Sequence, residues 1–136
     1  TSGKKIKIKS EKDNNRIDIK RSPEIIYGLR NFIGNAVKFS SEKVEVELKS
    51  NNKNISIQIS DDGPGFPEDI IDVLGEPYIK SRSKKTSHKS GLGLGTFLGK
   101  TLLERQGAKL SFSNFKKRGG ASVIISWEVA SLISNP

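Results

Sequence analysis

SPEIIYGLRNFIGNAVKFS, residues 22–40, decides how the rest of the chain is read. Ser22 and Pro23 supply a helix cap and a first-turn proline. Ile25, Ile26, Leu29, Phe32, Ile33, Ala36 and Val37 recur at helical spacing, which predicts a helix from about Pro23 to Phe39. At about 100° per residue, Asn31, Asn35 and Lys38 share a stripe roughly 60° wide on the broadly opposite side. Asparagine is a poor helix former, so two of them in mid-helix are unusual. Read alone, the stripe fits a solvated face, or an amide oxygen and an amine set out for a hard cation carrying phosphates.

Period-two alternation surrounds this helix. Lys4–Lys9 and Arg16–Lys20 read as half-buried strands with isoleucines inward, joined by a polar turn containing Asp13-Asn14-Asn15. Val44–Leu48 and Ile55–Ile59 follow, separated by Ser50-Asn51-Asn52. The loop Asp61-Asp-Gly-Pro-Gly-Phe-Pro67 leads into a short helix near Glu68 to Leu74. From Gly75 to Ser90 periodicity is lost, and a loop of that length inside a domain is usually functional. Gly91-Leu-Gly-Leu-Gly95 opens a second long helix, Thr96 to about Gln106, stopped by Gly107. Two strands, Lys109–Phe115 and Ala121–Val129, close the chain around Lys116–Gly120. Segregated strand pairs and helices predict an α+β sandwich: one mixed, mostly antiparallel sheet covered by about three helices on one face.

Composition bounds the chemistry. The 136 residues suffice for one domain, taken as 1–136, with 33% apolar residues to build its core. With no cysteine and a single histidine, His88, a thiolate site, a disulfide scaffold and a histidine metal cluster are excluded. No apolar run approaches the ~18 residues of a membrane span. The net charge of +9 is partly local: Lys80, Arg82, Lys84, Lys85 and Lys89 lie within ten residues that hold no acid, and the remainder carries +4. That segment is either a solvated loop or a surface that meets an anion. Tyr78 is the one aromatic beside it, so base stacking has little support.

The glycine and carboxylate motifs gain meaning from their order. Asp61-Asp-Gly-Pro-Gly65 is an Asp-Gly turn, or a carboxylate fixed at a strand end beside backbone that a ligand can approach. Gly91 to Gly95 is a hinge, or an anion-receiving helix start; its spacing matches neither the dinucleotide fingerprint nor the Walker A loop.

Together these elements resemble a known family. Asn31–Ser40 looks like the N box of sensor histidine kinases, Asp61–Gly65 their G1 box, Gly75-Glu-Pro-Tyr78 their F box and Gly91–Gly95 their G2 box. The resemblance runs from about Lys4 to Val129 and implies the GHKL ATPase superfamily with its Bergerat α/β sandwich. Gly-Glu-Pro-Tyr and the helix Phe97–Gly107 look most like the redox-responsive RegB/PrrB type. The resemblance implies that Asn35 coordinates magnesium, with Asn31 nearby and Lys38 on the phosphates, these three being the catalytic set. It implies that Phe39 packs on adenine and Asp61 binds the adenine amine, with Gly63 and Gly65 shaping the pocket. Gly91, Gly93 and Gly95 would receive the phosphates, Gly75–Ser90 would be the ATP lid, and Ile70, Tyr78, Lys80, Leu92 and Leu94 would complete the ATP contacts. Gly75, Lys80 and Ala121 depart from the residues common in the family at their positions.

Superfamily members that hydrolyse ATP carry a glutamate four residues before the magnesium asparagine; this chain has Asn31 there. An amide cannot take a proton from water at neutral pH, so a general base for hydrolysis is missing. The expectation is a domain that binds ATP and Mg2+ and passes the γ-phosphoryl group to a histidine on a separate dimerisation domain, which in turn serves a response regulator. His88, within the lysine-rich segment, is not the expected acceptor. A serine kinase of the anti-sigma-factor type and a basic nucleic-acid-binding module are the competing readings. The kinase reading implies a cytoplasmic, monomeric domain that contacts neither nucleic acid nor membrane, cut from a parent anchored in the inner membrane.

Overall fold

The computed structural model describes residues 4–10, 22–74 and 93–132. The expected strand Arg16–Lys20 and the expected lid at 75–90 lie outside these residues. Described strands are β1 (Lys5–Ser10), β2 (Lys43–Ser50), β3 (Asn54–Asp61), β4 (Lys109–Asn114) and β5 (Ala121–Glu128). Helices are α1 (Pro23–Phe39), α2 (Glu68–Leu74), α3 (Gly93–Arg105) and the single turn α4 (Val129–Leu132). The strands form one sheet in the order β1-β2-β3-β5-β4, with β1 parallel to β2 and every other pair antiparallel.

Local chemistry sets the ends of the helices. The Ser22 Oγ accepts from the Ile25 N–H at 3.3 Å, Pro23 opens α1, and the Ser40 N–H closes it on the Ala36 carbonyl. At the end of α3, Gly107 adopts φ +91°, donating to the Glu104 carbonyl while Ala108 donates to that of Leu103. That double bond pattern needs a left-handed residue, which explains why glycine stops the helix there.

Alternation gives the sheet one apolar face. Register places Val46 beside Ile59 and Ile59 beside Val123, with Phe112 on the far side of Val123. Phe32 and Ala36 of α1 and Leu103 of α3 join the same buried cluster, so the core lies between this face and the two helices. Phe112 links the layers, its ring 5.9 Å from those of both Phe32 and Phe66.

Two expectations change. Ile6 and Ile8 alternate as predicted but are 50% and 75% exposed. β1 is the last strand on its side among the described residues, and α1 lies over β2 and β3 rather than over it. Its described partner is the parallel β2, reached across α1. The second change is that α3 begins at Gly93 rather than Thr96, so the glycine turn is the first turn of the helix itself.

Glycines let α1 and α3 pack closely. A Cβ at Gly28 would stand 2.5 Å from the Leu103 Cγ, whereas one at Gly34 would meet nothing within 4 Å. Alanine favours a helix over glycine by about 1 kcal/mol, while overpacking a core costs about 1–3 kcal/mol. Gly34→Ala should therefore raise stability by about 0.5–1 kcal/mol and Gly28→Ala should lower it. Denaturant unfolding of the two variants checks the opposite signs.

Candidate functional site

A cavity of about 230 Å³ opens where α1, the end of β3, the loop after it and the start of α3 converge. α1 contributes Asn35, Ala36 and Phe39; β3 contributes Ile59 and Asp61. Gly65 and Phe66 come from the loop, Thr96 from α3, and Ala121 and Val123 from β5. The walls are mostly carbon, with Asp61, Asn35 and Thr96 as the polar side chains.

Asp61 is 6% exposed. Its Oδ1 accepts from the Gly63 N–H at 2.8 Å and the Ala121 N–H at 3.3 Å. A buried carboxylate is tolerated only when it is hydrogen-bonded, and here two backbone donors hold one oxygen. Tight backbone surrounds it: a Cβ on Gly63 would overlap the Phe39 carbonyl, and one on Gly120, at φ +112°, would overlap that of Asp61. The carboxylate, Phe39 and the glycine loop are thus packed as one unit at the cavity wall.

Asn35 stands on the other side. Its amide nitrogen donates to the Thr96 hydroxyl at 2.9 Å and more weakly to the Asn31 Oδ1 at 3.4 Å. The amide oxygen accepts no hydrogen bond from the described residues. Among those residues no group of three or more His, Cys, Asp or Glu side chains could hold a metal. A lone amide oxygen suits magnesium, which keeps several waters and leans on phosphate oxygens.

Of the residues expected from sequence, Asn35, Phe39, Asp61 and Gly65 come together at the cavity. Asn31 lies one turn back on α1, and Gly63 packs behind Phe39. Lys38 is exposed, its ammonium 5.3 Å from the centre of the Phe39 ring. Gly93, Leu94 and Gly95 form the first turn of α3, and Ile70 lies in α2. The side chains of Ile70 and Leu94 lie outside the description, as do Tyr78, Lys80, Gly91 and Leu92 altogether.

A buried acid at a strand end, an asparagine helix facing it and a glycine turn opening the next helix occur here on one mixed sheet. The family model for histidine kinase-, DNA gyrase B-, and HSP90-like ATPases matches residues 20–131. The chain belongs to this family. The sensor histidine kinase RegB of Cereibacter sphaeroides is 41% identical over 130 residues, 85% of this chain and 28% of that protein. The sensor protein KdpD of Clostridium acetobutylicum is 33% identical over 93 residues, 67% of this chain and 10% of its own. The chain therefore spans under a third of the length of the RegB protein it resembles. The nucleotide-free catalytic domain of histidine kinase ThkA matches with a TM-score of 0.67 at 18% identity, over 92% of this chain and 79% of that one. Full-length ShkA in complex with AMPPNP matches at 0.64 and 22% identity, over 90% and 25%. These structures show the shared GHKL fold.

Two side chains fix the loop of this ATPase domain through partners that the sequence does not indicate. The Asp62 carboxylate accepts from the N–H groups of Ser41, Glu42 and Lys43 at 2.9–3.2 Å, tying the loop after β3 to the start of β2. The Asn114 amide, from β4, accepts from the Phe66 N–H at 2.8 Å and donates to the Phe66 carbonyl at 2.9 Å. It copies a strand pairing across 48 residues of sequence. The Asp62 carboxyl is held below its ordinary value, most strongly by the Glu42 N–H; burial opposes this, and the N–H groups of Lys43 and Ser41 lower it further.

Both clamps are testable. Asn114→Ala leaves two backbone groups of Phe66 without their partner and should cost about 1–3 kcal/mol in denaturant unfolding. For Asp62, a lowered folded value means that its stabilisation is complete above about pH 4 and is lost as the pH falls through that lowered value. Asp62→Ala should thus destabilise clearly at neutral pH and hardly at all in strong acid, as thermal unfolding across pH would record.

Proposed function

We propose that the chain, taken whole as residues 1–136, is the catalytic domain of a sensor histidine kinase. It binds ATP with magnesium in this cavity and presents the γ-phosphoryl group to a histidine on a separate dimerisation and phosphoacceptor domain of the same parent. The observation that carries this is the buried Asp61 carboxylate. One oxygen is held by backbone donors, and the other, which accepts from none of the described residues, would take the exocyclic amine of adenine. Phe39, also in the cavity wall, supports the same reading as the apolar contact for the base.

Asn35, with Asn31 beside it, offers its amide oxygen to the magnesium ion, whose charge offsets that of the transferred phosphoryl group. Lys38 takes the phosphates, as would the backbone N–H groups of Gly91, Gly93 and Gly95, since the first N–H groups of a helix have no partner within it. Ile70, Tyr78, Lys80, Leu92 and Leu94 complete the nucleotide contacts, Gly63 and Gly65 shape the wall, and 75–90 forms the lid. The incoming imidazole nitrogen forms a bond to the γ-phosphorus, the bond to the bridging oxygen breaks, and its electron pair leaves with ADP. Asn31 takes no proton from water, so this chemistry waits for the histidine. The acceptor domain in turn serves a response regulator. Among the described residues no helix is long and apolar enough to cross a membrane. We place the domain on the cytoplasmic side of a membrane-anchored parent, as a monomer when isolated.

Asp61→Ala should weaken ATP binding by about 1.5–3 kcal/mol, roughly ten- to hundredfold, the scale of a hydrogen bond to a charged group. Unchanged affinity in a titration would remove Asp61 from the site. The chain should label a separately made histidine-helix domain with radioactive ATP, lose that activity in Asn35→Ala, and release phosphate very slowly alone. Rapid hydrolysis, or stable label on His88, would overturn the reading.

A further inference from the structure

The α1–α3 crossing brings three pairs of residues together in antiparallel register. Leu103 packs on Gly28, Gly99 faces Asn31, and Thr96 meets Asn35. A Cβ at Gly99 would stand 3.2 Å from that of Asn31, so the two helices run almost backbone to backbone. Only that closeness lets a side chain as short as threonine reach across. Thr96 is 3% exposed, and its hydroxyl accepts from the Asn35 amide nitrogen at 2.9 Å.

A primary amide carries two N–H donors and one carbonyl oxygen, and the two ends are close in shape. What decides which end faces a ligand is the partner of the other end. Here both N–H groups have acceptors, in Thr96 and Asn31, and among the described residues the oxygen is the end left over. Thr96 also stands directly after the glycine turn that opens α3. One hydroxyl therefore connects the Asn35 amide to the helix end on the opposite wall of the cavity.

We propose that Thr96 is a positioning residue for magnesium: its hydroxyl holds the Asn35 amide with the oxygen turned to the metal–nucleotide complex and ties that ligand to the start of α3. This inference rests on the nucleotide reading above. Thr96 touches neither nucleotide nor metal in this role; it acts through Asn35. Partners that orient a metal ligand in this way are commonly worth tenfold or more in metal affinity.

Thr96→Val keeps the shape and removes the hydroxyl, freeing the Asn35 amide to rotate. Binding of a non-hydrolysable ATP analogue, titrated calorimetrically at graded magnesium, should need about tenfold more magnesium for half saturation. Binding of the analogue without metal should be unchanged, and Thr96→Ser should restore the wild-type magnesium response. In an Asn35→Ala background, Thr96→Val should add nothing further, because the two residues act as one unit. If Thr96→Val does not fold, Thr96→Ala against Thr96→Ser gives the same comparison. A wild-type magnesium response in a folded Thr96→Val protein overturns the proposal. So does an equal loss of binding with and without metal, which would mark Thr96 as merely structural. A wild-type chain that takes up no analogue at any magnesium concentration overturns the nucleotide reading itself, and this inference with it.

Discussion

The buried carboxylate of Asp61 is the constraint on which the site's architecture depends. Taking an ionised acid out of water is costly unless donors replace the lost hydration. Gly63 and Ala121 supply two backbone N–H groups, and they can do so only because the backbone closes in where a side chain would clash. The last residue of β3, the turn that follows it and the first residue of β5 are therefore fixed relative to one another by one oxygen atom. Phe39 is drawn into the same unit, because its carbonyl occupies the space a Cβ on Gly63 would need.

Around that unit, loops are held by side chains acting as pieces of backbone. Asp62 gathers three consecutive N–H groups at the start of β2, and Asn114 imitates a strand partner for Phe66. These bonds fix the loop on either side of Asp61 without adding bulk to the cavity. The opposite wall is set by helix packing instead. Glycines at 28 and 99 bring α1 and α3 together, and that approach places Thr96 beside Asn35. A rigid carboxylate wall and a closely packed helical wall then face one another across an apolar gap. Such a gap suits a flat base with a charged tail, as the family relationship also indicates.

Much of this was legible in the chain. Ser22-Pro23 and the apolar spacing that follows mark α1, and its observed ends agree with them. The Glu68–Leu74 helix also falls where expected, and Asn35, Phe39, Asp61 and Gly65 meet at one cavity as their motifs imply. Asp62, Asn114 and Thr96 were not legible as parts of the site. Each is an ordinary polar residue whose partner lies at least 19 residues away, so no local spacing announces it.

The sequence by itself determined what is local or carried by motif order: helix and strand periods, the stops at Ser40 and Gly107, and the family. These depend on neighbours within a few residues, where backbone geometry allows few alternatives. Tertiary structure alone decided the order of the described strands, with β1 lying parallel to β2 and Ile6 and Ile8 exposed. It also decided that α3 starts in its glycine turn and that Thr96 answers Asn35. Period two states that a strand has an apolar face, not which strand lies beside it. That choice follows from how all the apolar surfaces close over one another at once, which no single stretch of the chain contains.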